Sequence, residues 1–491
     1  MSATGLATAR FARLLPNAPF YLLTGGAFAL LTIARTAQSG MFLDGVTYAS
    51  ISRNLAEGRG SLWAPFYTST LYASFHDHPP LGFGLQAAAF AIFGDHLAVE
   101  RIYSVLLGGV TALLMIHIWR RTGHDTAYDW LPLVFWLVPP AVSWSIVNNM
   151  LEVTQAAFTT FAVLAFVRSL DRSRLWWIWA ASAGASVAAA VLTKGPTGLF
   201  PLAAPCIAVS LMRNRAAEAL RSGAAMFVTV AVGTALVLVP DASRLSLQTY
   251  WNQQVASSIR GARGGAGRLS SMAQHLAAPV IMRMSGLSAL AWLISRLKRR
   301  PGSLLEGGPP TWSIWTWFFL LVALAGSLPV ALSARIAGHY FVPSIPLYAL
   351  GLASLSLPWI GPALDRWRSR PIVRRVVGVL GVLFFVGAIV IPLLGGSLEP
   401  RDVAWMSEYR TLSSSIPRGA TLGTCEAVRE DWGLHAYMQR LFEVSLDPDR
   451  GPQQHRFYLQ VTDRPCDPPP ACESMAVTRR LALYECKVAQ K

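Results

Sequence analysis

Charged residues are scarce in this chain, and their scarcity excludes a large class of proteins. Asp, Glu, Lys and Arg make up 14% of its 491 residues, against about 25% in soluble globular domains. Hydrophobic residues make up 53%, and the mean hydropathy is +0.40. This composition is typical of a chain surrounded mostly by lipid, and it excludes a water-soluble protein.

Acidic residues are the scarcer charge type: 26 Asp and Glu stand against 42 Lys and Arg, for a net charge of +16. That excess does not indicate binding to nucleic acid, because the basic residues form short clusters between apolar runs, as the positive-inside rule requires of cytoplasmic loops. The clusters expected inside lie at residues 10–13, 120–121, 168–174, 213–221, 296–300 and 366–375.

Two further absences bear on function. The chain has no glycine-rich loop of the kind that cradles the phosphates of a nucleotide, so no nucleotide cofactor is expected. It also shows no inverted repeat, which disfavours a secondary transporter or lipid flippase.

Long apolar runs predict about eleven transmembrane helices. Their flanking charges place the N-terminus in the cytoplasm and the C-terminus outside. The run from Leu81 to Phe93, inside the first external loop (residues 37–97), is too short for a span and is predicted to be an interfacial or re-entrant helix. The spans are expected at residues 18–34, 98–119, 130–147, 150–168, 175–192, 197–212, 222–239, 277–295, 311–331, 339–357 and 376–396.

The last part of the chain lacks such runs. Residues 397–491 are richer in Pro, Asp and Arg, and alternating stretches at 456–462 and 481–487 predict strands. We therefore expect a polytopic α-helical membrane domain, residues 1–396, followed by a small extracytoplasmic α+β domain, residues 397–491.

Cysteine is rare, and four of the five cysteines lie in this C-terminal domain. An even number of thiols in an exported domain favours disulfides. A zinc site is the alternative, but there is no Cys-x-x-Cys pair and no His at ligand spacing beside them. The pairing among Cys425, Cys466, Cys472 and Cys486 is left open, and Cys206, inside a span, is expected to be a small packing residue.

Ionisable residues near the predicted spans gather at the outer side of the membrane. Such groups are costly in lipid unless they face a polar cavity, so a cluster at one depth predicts a site that opens to the outside. Independent side chains that snorkel from helix ends are the alternative. The cluster consists of Asp44, Asp77, Glu152, Lys194, Arg335 and His339.

Several elements together resemble the GT-C superfamily of membrane glycosyltransferases that use polyprenyl-phosphate-linked sugars. They are an acidic residue after the first span (Asp44), Asp-His-Pro-Pro-Leu at residues 77–81, and Leu-Thr-Lys-Gly-Pro-Thr-Gly-Leu at residues 192–199. A weaker element is Gly-His-Tyr-Phe-Val-Pro at residues 338–343. Within the superfamily, the chain is similar to the bacterial aminoarabinose transferases of lipid A and to the protein O-mannosyltransferases.

The resemblance implies a GT-C fold in the inner membrane of a Gram-negative bacterium. It also implies transfer of a sugar from a polyprenyl-phosphate donor to an extracytoplasmic acceptor, such as lipid A, lipopolysaccharide core, another envelope glycan or a protein. Asp44 would be the general base of an inverting single displacement, and Asp77 would orient the donor or the acceptor. From the residues alone, Asp44 can instead be a helix cap and Asp77 a turn residue.

The histidines of the first external loop raise the question of a metal. His76 and His78 would contact the donor phosphate or, together with Asp44 and Asp77, bind a divalent metal ion. A metal cofactor is therefore left open, with solvated histidines as the alternative.

Further candidates lie at the outer ends of later spans. By analogy with the family, Lys194, His339 and Tyr340 would bind the lipid phosphate, with bracing of helix ends and interface anchoring as the alternatives. Asn149 and Glu152 are expected to contact sugar hydroxyls, with a buried amide that stabilises the bundle as the alternative.

Residues 241–276, between the seventh and eighth predicted spans, have the composition of a mobile external lid. Arg260 and Arg263 would close on the donor phosphate through bidentate contacts, and a solvated disordered loop is the alternative. A non-catalytic envelope-assembly subunit remains the competing functional class, with the C-terminal domain as its binding module.

Overall fold

The protein is described by a computed structural model over residues 17–259, 270, 272–297, 313–332, 336–396, 400–449, 454–464 and 472–487. Helices dominate these residues. In chain order the α-helices are α1 (Ala18–Thr36), α2 (Leu43–Ala56), α3 (Leu81–Phe93), α4 (Leu97–Arg121), α5 (Leu131–Leu137), α6 (Pro140–Val147), α7 (Leu151–Ser169), α8 (Trp176–Lys194), α9 (Ala204–Leu211), α10 (Ala216–Leu238), α11 (Asp241–Tyr250), α12 (Ser257–Ile259), α13 (Arg283–Leu297), α14 (Ile314–Ser327), α15 (Ile345–Arg368), α16 (Pro371–Leu393), α17 (Val403–Leu412) and α18 (Trp432–Phe442).

Seven helices within the described residues are long and apolar enough to cross a membrane, and a bent pair makes an eighth candidate. These helices confirm a multi-pass membrane protein. Three further apolar helical segments of the described residues are shorter than a normal span. The count of about eleven spans therefore stays a prediction. Helix α7 lies at the centre of the bundle, with most of its residues buried, whereas α10 and α16 are largely exposed on its outside.

Prolines explain where two predicted spans are interrupted. Helices α5 and α6 meet at an angle of 77°, where Pro139 and Pro140 stand side by side. Residues 196–203 form a 3₁₀ helix that contains Pro201 and leads into α9. A proline inside a helix removes one backbone N–H donor and clashes with the preceding turn, so both breaks follow from the sequence.

The first external loop contains a helix, α2, that the sequence pattern did not predict. Asp44 lies in its first turn, where a carboxylate interacts favourably with the positive end of the helix dipole. Residues 48–54 of α2 are all buried. A helix covered on every side shows no amphipathic period, which explains why it was missed. Helix α3 confirms the short helix expected at Leu81–Phe93.

The segment after α10 is more regular than its composition indicated. Helix α11 is followed without a break by a π-helical stretch, Trp251–Ala256, and by α12. Residues 241–259 are therefore helical rather than irregular, because Pro240 and Asp241 provide a normal helix start. Arg260 and Arg263 lie outside the described residues, and mobility of the lid stays a prediction.

The C-terminal domain is α+β, as expected. After α17, a five-stranded sheet has the order β4-β3-β5-β7-β6. Strand β3 pairs in parallel with β4 and β5, whereas β7 pairs antiparallel with β5 and β6. Helix α18 lies between β3 and β4 in the chain. The strands, together with the short hairpin β1-β2 of the first external loop, are β1 (Gly60–Ser61), β2 (Ala64–Pro65), β3 (Thr421–Gly423), β4 (Ser445–Asp447), β5 (Phe457–Val461), β6 (Cys472–Val477) and β7 (Leu481–Cys486).

The cysteines of this domain form disulfides, as predicted. Cys472 is bonded to Cys486 across the β6-β7 pair, and Cys425 is also disulfide-bonded. Cys466 lies outside the described residues. One expectation was wrong: Cys206 is exposed on the surface of α9 rather than packed inside the bundle, because the buried face of α9 is formed by Ala204, Pro205 and Ala208.

Candidate active site

A cavity of about 580 Å³ lies where α2, the end of the first external loop, the start of α7 and the end of α8 meet. The sequence cluster is largely brought together here. The polar residues of its lining are here called the polar wall, and the apolar ones, including Leu199, Phe200, Pro329 and Val330, the apolar wall. The predicted residues that line the cavity are Asp44, Asp77, His78, Glu152, Lys194 and Tyr340.

Asp44 stands on the polar wall, one helical turn before Tyr48. Burial raises the pKa of the Asp44 carboxyl above its ordinary value, while the positive charge of Lys194 and a hydrogen bond from Tyr48 act in the opposite direction. A carboxylate with a raised pKa is a better proton acceptor than an ordinary aspartate. The surroundings of Asp44 therefore suit a general base.

Lys194, the last residue of α8, brings a positive charge to this wall. Its Nζ lies 2.5 Å from Oε1 of Glu152, which is almost fully buried. The same ammonium lies 6.0 Å from the ring centre of Tyr48 and 5.6 Å from that of Tyr340. Lys194 thus sits in a cage of one carboxylate and two aromatic faces, beside Asp44, where it can also attract an anionic ligand.

The end of the first external loop is held by hydrogen bonds to neighbouring elements. Nε2 of Gln254 donates to Oδ1 of Asp77 at 2.6 Å, and Nδ1 of His76 lies 3.0 Å from Oγ of Ser246. These contacts place the helical segment 241–259 directly over the cavity. Burial lowers the pKa of His76, so this ring is neutral at pH 7 and His76 faces the covering segment.

The imidazole of His78 reaches the cavity itself. Its Nε2 lies 2.9 Å from Oη of Tyr48, so the hydroxyl next to Asp44 is connected to both the first external loop and α2. In the described part of the chain, no three His, Cys, Asp or Glu side chains are grouped closely enough to hold a metal ion. The choice between metal binding and phosphate contact for His76 and His78 stays a prediction.

Asn149 does not line the cavity. Its side chain is buried, donates from Nδ2 to the carbonyl of Gly45 at 3.1 Å, and accepts from Gln86 and Ser104. A Cβ atom on Gly45 would lie 1.9 Å from the carbonyl oxygen of Asn148, so α2 packs directly against the backbone between α6 and α7. These contacts match the alternative expectation, a buried amide that stabilises the bundle, and explain how the start of α2 is positioned.

His339 lies beside the cavity rather than on its wall. Its ring stacks on Trp144 at a centroid distance of 5.6 Å, and its Nε2 is 3.6 Å from Oε1 of Glu152. Its neighbour Tyr340 lines the cavity. The two residues thus flank the Lys194–Glu152 pair from a 3₁₀ helix, Gly338–Phe341, that precedes α15.

The cavity residues that were not anticipated as site residues include Tyr48, Gln155 and Gln254. The position of Tyr48, four residues after Asp44, is a signal only once a helix is recognised there. Gln254 comes from a segment 177 residues away from Asp77. No local pattern predicts such a contact.

Comparisons with known proteins agree with the fold. Residues 77–241 match the family model for dolichyl-phosphate-mannose-protein mannosyltransferase. A segment of 213 residues is 26% identical to the undecaprenyl phosphate-alpha-4-amino-4-deoxy-L-arabinose arabinosyl transferase of Pseudomonas savastanoi pv. phaseolicola. That match covers 42% of this chain and 38% of the relative, so it spans well under half of either protein.

Two solved structures are similar over most of the chain. ArnT from Cupriavidus metallidurans bound to undecaprenyl phosphate has a TM-score of 0.63 at 15% identity, and the match covers 98% of this chain and 98% of that chain. The archaeal oligosaccharyltransferase AglB from Archaeoglobus fulgidus has a TM-score of 0.50 at 13% identity, with 90% of this chain and 69% of that chain covered. At these identities, the likeness establishes the fold.

The protein therefore has the GT-C fold, and the resemblance predicted from its sequence elements is confirmed. Within that fold class it is similar to ArnT over 98% of its length, which includes both the membrane bundle and the small C-terminal sheet domain.

Proposed function

We propose that the protein is an integral membrane glycosyltransferase that moves a sugar from a polyprenyl-phosphate donor to an extracytoplasmic acceptor. The observation that carries this proposal is the presence of Asp44, whose pKa is raised by burial, and the cation of Lys194 in the lining of one cavity. A base and a cation are the two groups that such a transfer needs.

Asp44 is proposed as the general base. Its carboxylate accepts the proton of the acceptor hydroxyl, and that oxygen forms a bond to the anomeric carbon of the sugar. The bond from this carbon to the phosphate oxygen breaks, and its electrons stay on the phosphate. A single displacement of this kind inverts the anomeric configuration. Lys194 would stabilise the charge that develops on the leaving phosphate.

The two walls of the cavity fit a donor with two unlike parts. The polar wall suits a sugar phosphate. The apolar wall, with Leu199 half-exposed next to Phe200, suits the first isoprene units of a lipid chain. The name of the arabinosyl transferase relative and the ligand of the similar ArnT structure, both undecaprenyl phosphate species, support the same class of donor.

The setting proposed for the reaction is the inner membrane of a bacterium, with the N-terminus in the cytoplasm and the C-terminal domain in the periplasm. The distribution of basic clusters and the disulfides of the C-terminal domain support this orientation. Acceptors in that compartment include lipid A, lipopolysaccharide, other envelope glycans and proteins.

The experiment is an in vitro transfer assay on purified protein in lipid, with a panel of labelled polyprenyl-phosphate sugars and envelope extract as acceptor. Asp44→Asn keeps the shape of the side chain but cannot accept the proton, so transfer should fall by about 10²–10⁴-fold while donor still binds. Asp463→Asn, an exposed aspartate of the C-terminal domain, is the matched control and should transfer at the wild-type rate.

Two results would contradict the proposal. If Asp44→Asn transfers sugar as fast as the control, Asp44 is not the base. If the wild-type protein neither transfers sugar nor binds any donor of the panel, a transporter, a flippase or a non-catalytic assembly subunit becomes the better account.

A further inference from the structure

The helix that carries Asp44 belongs to two cores at once. Met41 and Val46 are buried in the hydrophobic core of the C-terminal domain, together with Tyr409, Met438 and other residues of α17, α18 and the sheet. Tyr48 and Ile51, on another face of α2, belong to a separate cluster within the first external loop. Residues on both sides of Asp44 are therefore part of the C-terminal core.

Hydrogen bonds from the C-terminal domain hold the backbone just before α2. The Met41 N–H donates to Oη of Tyr437 at 2.9 Å. The hydroxyl hydrogen of Tyr437 has two acceptors within reach, the Met41 carbonyl at 2.9 Å and Oδ2 of Asp402 at 2.7 Å. The Gly40 N–H donates to the carbonyl of Arg401 at 3.0 Å. The chain three and four residues before Asp44 is thus fixed by the C-terminal domain.

The fit around Tyr437 leaves no spare room. A Cβ atom on Gly40 would lie 2.3 Å from Oη of Tyr437 and 2.9 Å from Cβ of Asp402. Tyr437 is 7% exposed. Close packing of this kind keeps the two partners of the hydrogen bond at one separation, because neither partner can move away without opening a void.

The other end of α2 is held by the same domain. The guanidinium of Arg53, which is fully buried, donates to the carbonyl of Gln439 at 2.9 Å. It also lies 3.9 Å from Glu443, which pairs with Arg59 just beyond the helix. Helix α18 therefore contacts α2 near its first turn, through Tyr437, and near its last turn.

The loop that leads to Asp77 is docked on the C-terminal sheet as well. The N–H of Ser69 donates to Oγ of Ser445 at 3.0 Å, and Oγ1 of Thr70 donates to the carbonyl of Leu446 at 2.7 Å. Ser445 and Leu446 belong to β4, the edge strand of the sheet.

From these contacts we propose that the C-terminal domain positions Asp44 for catalysis, with Tyr437 as the positioning residue that holds the backbone at Met41. This inference rests on the proposed function, and it gives the C-terminal domain the role of positioning the general base. Tyr437 itself does not line the cavity. It acts on the reaction through the placement of α2.

Tyr437→Phe tests this, because it removes one hydroxyl and keeps the ring that packs in the core. A displacement of a catalytic group by about 1 Å can cost about 10²-fold in rate, so kcat should fall by about 10- to 100-fold while the Kd for a polyprenyl-phosphate sugar stays within about twofold. The matched control is Tyr484→Phe in the sheet of the same domain, which removes the hydroxyl that donates to Oε1 of Gln460 at 2.9 Å. It should leave kcat unchanged.

Hydrogen–deuterium exchange of the full-length protein in nanodiscs gives a readout that does not depend on activity. Peptides that cover residues 38–56 should exchange faster in Tyr437→Phe than in wild type or Tyr484→Phe, since the Met41 amide loses its acceptor. If the wild type transfers no sugar, the proposed function fails, and this exchange still decides whether Tyr437 holds α2.

Unchanged exchange over residues 38–56 would overturn the proposal, and so would a kcat within about twofold of wild type despite faster exchange. Rates are expressed per donor-binding site, so that loss of folded protein is not counted as loss of kcat. If Tyr437→Phe does not yield folded protein, Asp402→Asn takes its place, since it weakens the hydrogen bond between Tyr437 and Asp402 that helps to hold the Tyr437 hydroxyl against Met41.

Discussion

At the scale of single residues, the site is defined by the different surroundings of two carboxylates, Glu152 and Asp44. Glu152 is buried against Lys194, so that carboxylate has its cation next to it. Asp44 stands on the same wall, where no cation of the described residues forms an ion pair with it, and burial raises its pKa. Two carboxylates in one cavity are thus set apart by their surroundings: one serves the structure around Lys194, and the other is proposed to accept a proton.

The pH dependence of transfer should report this difference. Because the base must be ionised and its pKa is raised, the rate should rise with pH along an acid limb that lies above the ordinary aspartate pKa of about 3.9. Lys194 lowers the pKa of Asp44, so Lys194→Met should move the limb to higher pH. The measurement is kcat against pH, each profile scaled to its own maximum.

The control for this shift is Lys487→Met, a lysine exposed in the C-terminal domain, which should leave the limb in place. A limb at the same pH in wild type and Lys194→Met would mean that the titrating group is not Asp44.

At the scale of elements, α2 is the helix on which the site depends. It was not predicted because it is buried by three different neighbours and has no period of its own. The spans were predicted because lipid imposes a length and a composition on every one of them. Helices α1, α4 and α7 begin and end within a few residues of the expected positions.

Gly45→Ala should damage the placement of α2. The added methyl group would meet the carbonyl oxygen of Asn148 at 1.9 Å, and a backbone atom cannot move aside as a flexible side chain can. Overpacking of this kind costs about 1–3 kcal/mol. We expect a lower Tm together with a fall in kcat, measured by thermal unfolding and by the transfer assay.

The comparison is Gly109→Ala in α4, where an added Cβ meets no atom within 4 Å. That variant should be as stable as wild type or slightly more stable, since Ala is a better helix former than Gly. Equal effects of the two substitutions would mean that close approach of α2 to Asn148 is not what matters.

At the scale of the whole molecule, the C-terminal domain and the membrane domain form one structure. Arg440 of α18 is 3% exposed and pairs with Asp95 at 2.6 Å and with the fully buried Glu100 at 3.1 Å. Both carboxylates belong to the membrane domain, at or just before the start of α4. A buried ion pair across an interface fixes the orientation of two domains even where its net stabilisation is small.

Breaking this pair from one side should be costly. Arg440→Met would leave Glu100 buried without its cation, which typically lowers the free energy of unfolding by about 3–5 kcal/mol. The measurement is thermal unfolding in lipid. Arg456→Met, which removes an exposed pair with Glu485 in the same domain, should have little effect. A similar Tm for both variants would show that the interface does not depend on Arg440.

The sequence predicted those properties of the protein that each segment of the chain determines by itself. Composition and the apolar runs determined that the chain is a multi-pass membrane protein with a distinct C-terminal domain, because partition between lipid and water acts on each segment separately. The same local signals placed Asp44, Asp77 and Lys194 at one level, and motif resemblance indicated the fold class.

Only the tertiary structure decided which of these residues share a cavity and what holds them there. Asn149 supports α2 instead of lining the cavity, Gln254 reaches Asp77 across 177 residues, and Tyr437 reaches Met41 across 396. Contacts of such long range arise from the packing of whole elements. No property of the neighbouring sequence encodes them, since the energy of each contact depends on the placement of both partners.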